Sequence, residues 1–252
     1  MSEGQRGKED DDAALLLQKI KAEKARLIAE GKIKKEKPLP EISADEIPYE
    51  LPEGWVWCRF DNLNSNIHYG YTASALNTFN GIRMLRITDI QNNVVNWETV
   101  PDCNISESDF EKFKIDENDI LIARTGGTIG KSYQVKNISV KSVFASYLIR
   151  AIPLKSINSA FEKLLIESPL YWHQLRILSM GTGQPNVNAT SLKSLFFPLP
   201  PLSEQQAIVS TVNRLMALCD MLEQEVASGN ARAELWMKGA VREVMGEQIE
   251  IN

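Results

Sequence analysis

The sequence predicts a mixed α/β (α+β) fold: one domain of short strands and helices, flanked by a short N-terminal helix and a long C-terminal coiled-coil helix. Three observations predict it. The middle of the chain alternates short, branched apolar runs with polar loops, proline-rich stretches mark both of its edges, and residues 200–252 carry an apolar repeat at heptad spacing. With 252 residues and 43% hydrophobic composition, the chain can build one core of ordinary size plus extended appendages.

Residues 1–12 are polar, end in Glu9-Asp10-Asp11-Asp12 and read as a disordered tail reaching up to a helix start. Residues 13–31 read as a helix closed by Gly31, because Leu16, Leu17, Ile20, Leu27 and Ile28 fall on one face. Residues 32–53 form an extended linker, basic from Lys32 to Lys37 and then punctuated by Pro38, Pro40, Pro48 and Pro52. The domain proper spans 54–199. Its predicted strands are Met84 to Thr88, Ile120 to Arg124, Lys131 to Val135, Val143 to Ala151 and Leu195 to Pro198. Helices are predicted from Asn158 to Glu167 and, with proline in its first turn, from Pro169 to Ser179.

Pro200-Pro201 then halts the last strand, and Ser203-x-x-Gln206 has the pattern of a capping box opening a helix to about Met245. Ile208, Val212, Leu215, Cys219, Leu222 and Val226 recur at alternating spacings of four and three, and the register continues through Gly229 and Ala233 to Trp236 and Ala240. This is the seam of a helix that packs lengthwise on another helix. Gly229 is its weak point, where a kink is expected. Such a helix is about 65 Å long, against about 27 Å for the N-terminal one. Unless the long helix folds back at Gly229, part of the seam needs a second chain. The predicted interface is Ile208, Val212, Leu215, Cys219, Leu222, Val226 and Trp236.

The formal net charge of -5 conceals an uneven distribution. Residues 41–119 carry 5 basic and 15 acidic groups, whereas residues 120–200 carry 9 basic and 2 acidic. From Ile120 to Phe161 there are cations at Arg124, Lys131, Lys136, Lys141, Arg150 and Lys155 and no anion, a pattern suited to phosphates and also to an ordinary solvated face. No membrane partner is expected: no run of eighteen apolar residues occurs, and the N-terminus lacks the order of a secretory signal, so a soluble, cytoplasmic protein is predicted. Cys58, Cys103 and Cys219 are scattered and read as small apolar fillers, neither a disulfide framework nor a zinc site. His68 and His173 have no companions at metal-ligand spacing, so neither metal nor cofactor is expected. The acidic run Asp116, Glu117, Asp119 reads as a turn before a strand, and no catalytic residues are predicted.

Thr125-Gly126-Gly127-Thr128-Ile129-Gly130-Lys131-Ser132 comes close to a phosphate-binding G-x-x-x-x-G-K-[ST] loop. Its first position is Thr125, and Ser132-Tyr133-Gln134-Val135 reads as a strand where such a loop needs a helix N-terminus. The better reading is a glycine-rich hairpin tip between Arg124 and Lys131, whose open backbone lets phosphates approach. A second polar loop, Gly181 to Thr190, offers Gln184, Asn186 and Asn188, side chains that can pair with adenine edges; a plain surface turn has the same composition.

Several segments, in order, resemble the specificity subunits of type I restriction-modification systems. They are Leu17 to Lys24 running on to Glu30-Gly31-Lys32-Ile33-Lys34-Lys35; Leu51-Pro52-Glu53-Gly54-Trp55-Val56-Trp57; Met84-Leu85-Arg86-Ile87-Thr88-Asp89-Ile90; Asp119 to Lys131; and Phe197-Pro198-Leu199-Pro200-Pro201-Leu202-Ser203-Glu204-Gln205-Gln206-Ala207-Ile208-Val209. The resemblance covers about Leu15 to Val226. It implies a target-recognition domain for one half of a bipartite site in double-stranded DNA. It also implies a spacer helix and, as partners, DNA methyltransferase subunits and a restriction subunit that perform the chemistry. Members usually hold two recognition domains and two spacer helices packed antiparallel; one of each here resembles a half subunit that would pair as a homodimer.

The residues expected to contact DNA are, in order of preference, Arg124, Thr125, Thr128 and Lys131; Gln184, Asn186 and Asn188; then Tyr69, Thr72, Arg83, Arg86 and Thr88. Two alternatives are an interaction protein that docks on methyltransferase subunits without productive DNA reading, and a nucleotide hydrolase built on Gly126 to Ser132.

Overall fold

The computed structural model describes residues 12–179 and 186–247. The predicted tail, apart from Asp12, and the predicted base reader Gln184 lie outside the described residues. Through Gln206 the chain forms one compact unit, and from Ala207 onward a second.

In chain order the elements are α1 (Ala13–Ala29), β1 (Val56–Arg59), α2 (Phe60–Leu63), β2 (Asn64–Tyr69), β3 (Arg83–Leu85), β4 (Ile90–Gln91), β5 (Val94–Val95), α3 (Glu107–Phe113), β6 (Ile120–Ala123), β7 (Ser132–Gln134), β8 (Ser142–Phe144), β9 (Leu148–Pro153), α4 (Ser159–Leu165), α5 (Pro169–Ser179), α6 (Ala189–Ser194), β10 (Phe196–Leu199) and α7 (Leu202–Glu247). The fold is thus mixed α and β with a long C-terminal helix.

A four-stranded antiparallel sheet, ordered β2-β9-β6-β7, forms the centre of the first unit. β1 pairs antiparallel with β10, and β3 runs parallel to β8. Ile120-Leu121-Ile122-Ala123 is buried on both faces, which is why β6 reads as an unbroken apolar run. Leu121, Tyr133, Phe144 and Leu148 pack with Leu85, Trp97 and Val100 into one core. Fully burying each large side chain of this kind contributes roughly 1.5–3 kcal/mol.

Two predicted strands come out differently. Met84 to Thr88 ends at Leu85, because Arg86 bends the chain into a 3-10 turn over Ile87–Asp89, where the Asp89 carboxylate accepts from the Arg86 backbone N at 2.9 Å. The run Val143 to Ala151 is broken at Ala145–Tyr147, where Leu148 N donates back to Ala145 O. β8 and β9 therefore join different sheets. The β4–β5 hairpin turns on Asn92 and Asn93, both at positive φ, the two-residue turn that asparagine favours.

Helix α1 begins as predicted, with Asp12 accepting from Ala14 N at 2.7 Å. It buries Ala13, Leu16 and Ile20 against the first unit, and Lys24 ties it to Asp61 at 2.7 Å. Leu17, Leu27 and Ile28 on the same helix are half-buried. Helix α7 starts one residue before the predicted capping box and is anchored not by Gln206 but by the glutamine before it: buried Gln205 donates to Pro200 O at 3.0 Å and accepts from Asn158 N. Glu204 accepts from Trp55 Nε1 at 2.7 Å. The helix continues without a break through Gly229, and its 46 residues at 1.5 Å each correspond to about 69 Å. No helix among the described residues is long and apolar enough to cross a membrane.

Candidate nucleic-acid interface

Sheet register brings several distant segments to one place. Tyr69 pairs with Ile149, Ala123 with Leu148, and Ile122 with Ser132, so one end of the four-stranded sheet delivers Tyr69 to Thr72, Ser146-Tyr147 and the Arg124–Lys131 hairpin tip together. The segment 186–188 joins them: Thr125 bridges Asn186, and Val187 N donates to Arg124 O at 3.0 Å.

Arg124 is the centre of this end. Its guanidinium lies 4.5 Å over the Tyr69 ring, a cation–π contact that keeps the charge oriented without neutralising it. Arg124 Nε is buried and has no hydrogen-bond partner among the described residues. The Tyr69 hydroxyl in turn accepts from Ala189 N at 3.0 Å, and Arg124 N donates to Tyr147 O at 3.1 Å. One Arg–Tyr pair thereby links three loops.

The tip carries a 3-10 turn at Gly126–Thr128, as a glycine-rich hairpin should, and Ser132 enters strand β7. A phosphate loop of the nucleotide-hydrolase kind needs a helix there, so that alternative loses its structural basis. Gly126 and Gly127 are exposed with nothing within 4 Å of an added Cβ, which leaves their backbone open to a ligand. Gly130 is the opposite case: at φ +80° an added Cβ would sit 2.6 Å from Leu175 and 2.7 Å from Trp172 of α5. Tyr171 donates to Gly130 O at 2.8 Å, so α5 fixes the base of the tip.

The other predicted residues divide. Lys131, Thr72, Thr88 and Asn186 are exposed, and Thr125 and Thr128 half-buried. Asn188, also exposed, caps α6 by accepting from Ser191 N at 2.8 Å. Arg86 lies where β3 ends, near Ala145, but its guanidinium is paired with Asp89 at 2.7 Å. Arg83 is a correction. Its guanidinium is buried against Asp102 at 2.8 Å, while the Asp102 carboxylate also accepts from the backbone N of Asn80 and Gly81, so Arg83 shapes the loop before β3 and has no free face for DNA.

The expected run of six cations is a correction too. Arg150 is buried between Asp119 and Asp116, donating from Nε to Asp119 at 2.7 Å. Lys136 follows β7 and Lys155 follows β9, at the end of the sheet away from Arg124, and Lys141 sits over the Phe110 ring. Contiguity in sequence was not contiguity in space. His68 is satisfied, with Nδ1 against Tyr69 O at 3.0 Å, and burial pushes its pKa down. Cys58 and Cys103 are buried fillers, but Cys219 is exposed. Tyr147, 67% exposed beside Arg124, was missed because it lay inside a run read as one strand. Its signal was available, since Ser146-Tyr147 separates the apolar runs Val143-Phe144-Ala145 and Leu148-Ile149. Along α7, Leu215, Cys219, Leu222, Val226 and Trp236 are exposed and Ile208 and Val212 half-buried.

The sequence model of the family described as "Type I restriction modification DNA specificity domain" matches residues 65–228. Among similar proteins, the type I restriction enzyme EcoAI specificity subunit of Escherichia coli is 35% identical over 219 residues, covering 85% of this chain and 37% of that protein. The EcoEI specificity subunit of the same organism is 27% identical, covering 87% and 38%. The chain thus spans less than two fifths of the length of these relatives. In fold it is similar to the HsdS subunit from Thermoanaerobacter tengcongensis, with TM-score 0.54 at 18% identity over 84% of this chain and 47% of that one. A chain from a study of type I R-M complex assembly and conformational transition gives TM-score 0.59 at 19% identity over 87% and 50%.

Proposed function

Because the chain belongs to the type I restriction-modification DNA specificity family, we propose that it is a half specificity subunit. In this reading it recognises one half of a bipartite site in double-stranded DNA and directs partner methyltransferase and restriction subunits to it, itself non-catalytic. The observation that carries the reading is the convergence of Arg124, Tyr69, Tyr147 and Asn186 around an open glycine backbone at one end of the central sheet.

Each part has a task suited to its chemistry. Gly126 and Gly127 let a phosphate approach the backbone, and Lys131 supplies a point charge beside it. Arg124, held over Tyr69, presents a fork suited to the N7 and O6 of guanine, worth about 1–3 kcal/mol of discrimination when bidentate. Thr125, Thr128, Asn186, Asn188, Thr72 and Thr88 line the surrounding surface, Tyr69 positions Arg124, and Arg86 requires release from Asp89 before it can reach a base. Gln184 belongs to the same loop as Asn186 by sequence. Two copies joined through the seam from Ile208 to Trp236 would read two identical half-sites, so the site should be palindromic.

The test is to co-express the chain with its methyltransferase subunit and map adenine methylation across a genome. A split symmetric motif, lost in Arg124→Ala, is the expected result. Methylation at a motif that Arg124→Ala and Tyr147→Ala leave unchanged would refute the assignment of this surface. A stable complex with the methyltransferase subunit that shows no sequence preference would favour the interaction-protein alternative.

A further inference from the structure

The fold disperses the cations expected to form one basic footprint, so the hairpin tip carries only Arg124 and Lys131 of them. The first unit gathers cations elsewhere. A groove of about 600 Å³ opens between α1, the linker and the edge strand β2. Its walls carry Lys21, Lys24, Lys34, Lys37, Arg59 and Lys193 against three carboxylates, Glu36, Glu41 and Asp61. Three of these cations are engaged within the protein: Lys24 pairs with Asp61, Arg59 with Glu46 and Lys193 with Glu36. Lys21, Lys34 and Lys37 are exposed and have no ion pair among the described residues.

The engaged side chains hold the unpaired ones in place. Glu36 ties the basic stretch of the linker to α6 through Lys193. Arg59 donates to Glu46 at 3.0 Å and to the carbonyls of Pro40 and Glu41 at 3.4 Å. Pro38 and Pro40 stiffen the backbone between these anchors. The linker is therefore strapped to the domain, and its backbone has little freedom to lose when its charges are engaged. Leu17, Ile28, Ile42 and Trp57 give the groove low-dielectric walls, which focus the field of the unpaired lysines.

The groove adjoins the end of the sheet that carries Arg124. Asn66, on its wall, lies three residues before Tyr69 on β2, about 10 Å along the strand. Lys193 follows Ala189, whose N donates to the Tyr69 hydroxyl, by four residues of α6, about 6 Å. Burial and the Arg150 charge lower the pKa of His68, the residue before Tyr69, and the Lys193 ammonium adds to that shift, so this wall is within electrostatic reach of Tyr69.

Resting on the half-subunit reading, we propose that this groove is a second DNA contact, where Lys21, Lys34 and Lys37 hold backbone phosphates of the duplex that flanks the half-site. At about 3.4 Å per base along a strand, the 10 Å step from Tyr69 corresponds to about three base pairs. Lysine suits this task, since its ammonium is a point charge on a flexible stem with no fork to read a base edge. The Asn62 and Ser65 side chains on the same walls are already engaged, with Arg59 N and Ile152 O. The groove thus offers charge and few fixed donors, which fits a polyanionic backbone better than a small ligand that must be oriented. It supplies affinity without sequence preference, and discrimination stays with the Arg124 end.

Two duplexes separate the two contacts, one ending at the half-site and one extended by about ten base pairs, a helical turn, on each side. In the full chain, Lys21→Ala, Lys34→Ala and Lys37→Ala together should lower the slope of log affinity against log salt by about three on the extended duplex and leave it unchanged on the short one. Arginine at the same three positions should restore the slope, and base preference within the half-site should not move. An extended duplex of unrelated sequence should show the same loss, so the groove is tested even where Arg124 reads no base. Lysine acetylation with peptide mapping gives a readout without substitution: the extended duplex should protect Lys34 and Lys37, and the short one should not. Equal slopes for wild type and triple variant on the extended duplex, or an altered base preference in the variant, would overturn the proposal. So would protection of these lysines by inorganic triphosphate or by the methyltransferase subunit alone, but not by the extended duplex.

Discussion

Buried Glu162 faces Asn64, with no ion pair to it among the described residues, and burial raises its pKa to about 8. Asn64 Nδ2 donates to Glu162 Oε1 at 2.6 Å, while Asn64 Oδ1 and Glu162 Oε2 are both buried without hydrogen-bond partners among the described residues. A proton on Oε2 removes the cost of a buried charge and gives that oxygen a hydrogen to donate, with Asn64 Oδ1 as the unsatisfied acceptor on the facing side chain. The folded state then holds a proton that the unfolded chain releases near pH 4.5. Stability is fully present below about pH 4.5 and falls as pH rises towards 8, by at most about 1.4 kcal/mol per unit. Glu162→Gln puts an amide in place of the acid and has no proton to lose. Its urea midpoint should stay nearly flat between pH 5 and 8 relative to wild type, and parallel curves for the two proteins would contradict the neutral acid. Arg83 and Asp102 make the contrasting case of a buried pair that is charged. Arg83→Ala should cost roughly 3–5 kcal/mol in denaturant titration, because Asp102 would be left without its cation.

Among the elements, the hairpin tip separates a glycine that the fold constrains from glycines whose backbone is left open. Gly130→Ala must displace Leu175 or Trp172 and hold a side chain at φ +80°, so it should lower the thermal midpoint by several degrees. Gly127→Ala meets nothing within 4 Å and should leave the melt unchanged while weakening DNA binding, since its methyl group intrudes where a phosphate would lie. If Gly127→Ala binds DNA as wild type does, the backbone of the tip is not a contact. The tip was legible beforehand because glycine chemistry is local, as were α1, α5, β6 and α7, whose periodicity or unbroken apolar runs are written in adjacent residues. What was not legible depended on pairing at a distance. Nothing near Arg83 or Arg150 announces Asp102 or Asp119 as a partner, so both arginines looked available for DNA. Tyr147 looked like a strand residue because the break at Ala145 exists only to pass the chain from one sheet to another.

For the whole molecule, the question is what symmetry does to recognition. Under the proposed function, a monomer with one reading surface would contact one half-site, whereas a pair joined along α7 would contact two, the second at the effective concentration set by the first. Affinity for a correctly spaced palindrome should therefore exceed that for a single half-site by far more than twofold, and the excess should depend on the seam, not on the reading surface. Trp236→Ala removes the largest seam side chain and leaves every residue of the first unit, Arg124 included, unchanged. It should reduce binding to the two-half-site duplex by tenfold or more and leave binding to an isolated half-site within about twofold. Arg124→Ala should do the reverse in kind, lowering both affinities together. It should also reduce the slope of log affinity against log salt by about one where Arg124 contacts a phosphate, and leave the slope nearly unchanged where it contacts a base. Measuring both variants on both duplexes across a salt series tests the division of labour directly. Equal losses for Trp236→Ala on the two duplexes would mean that the helix does not couple two readers.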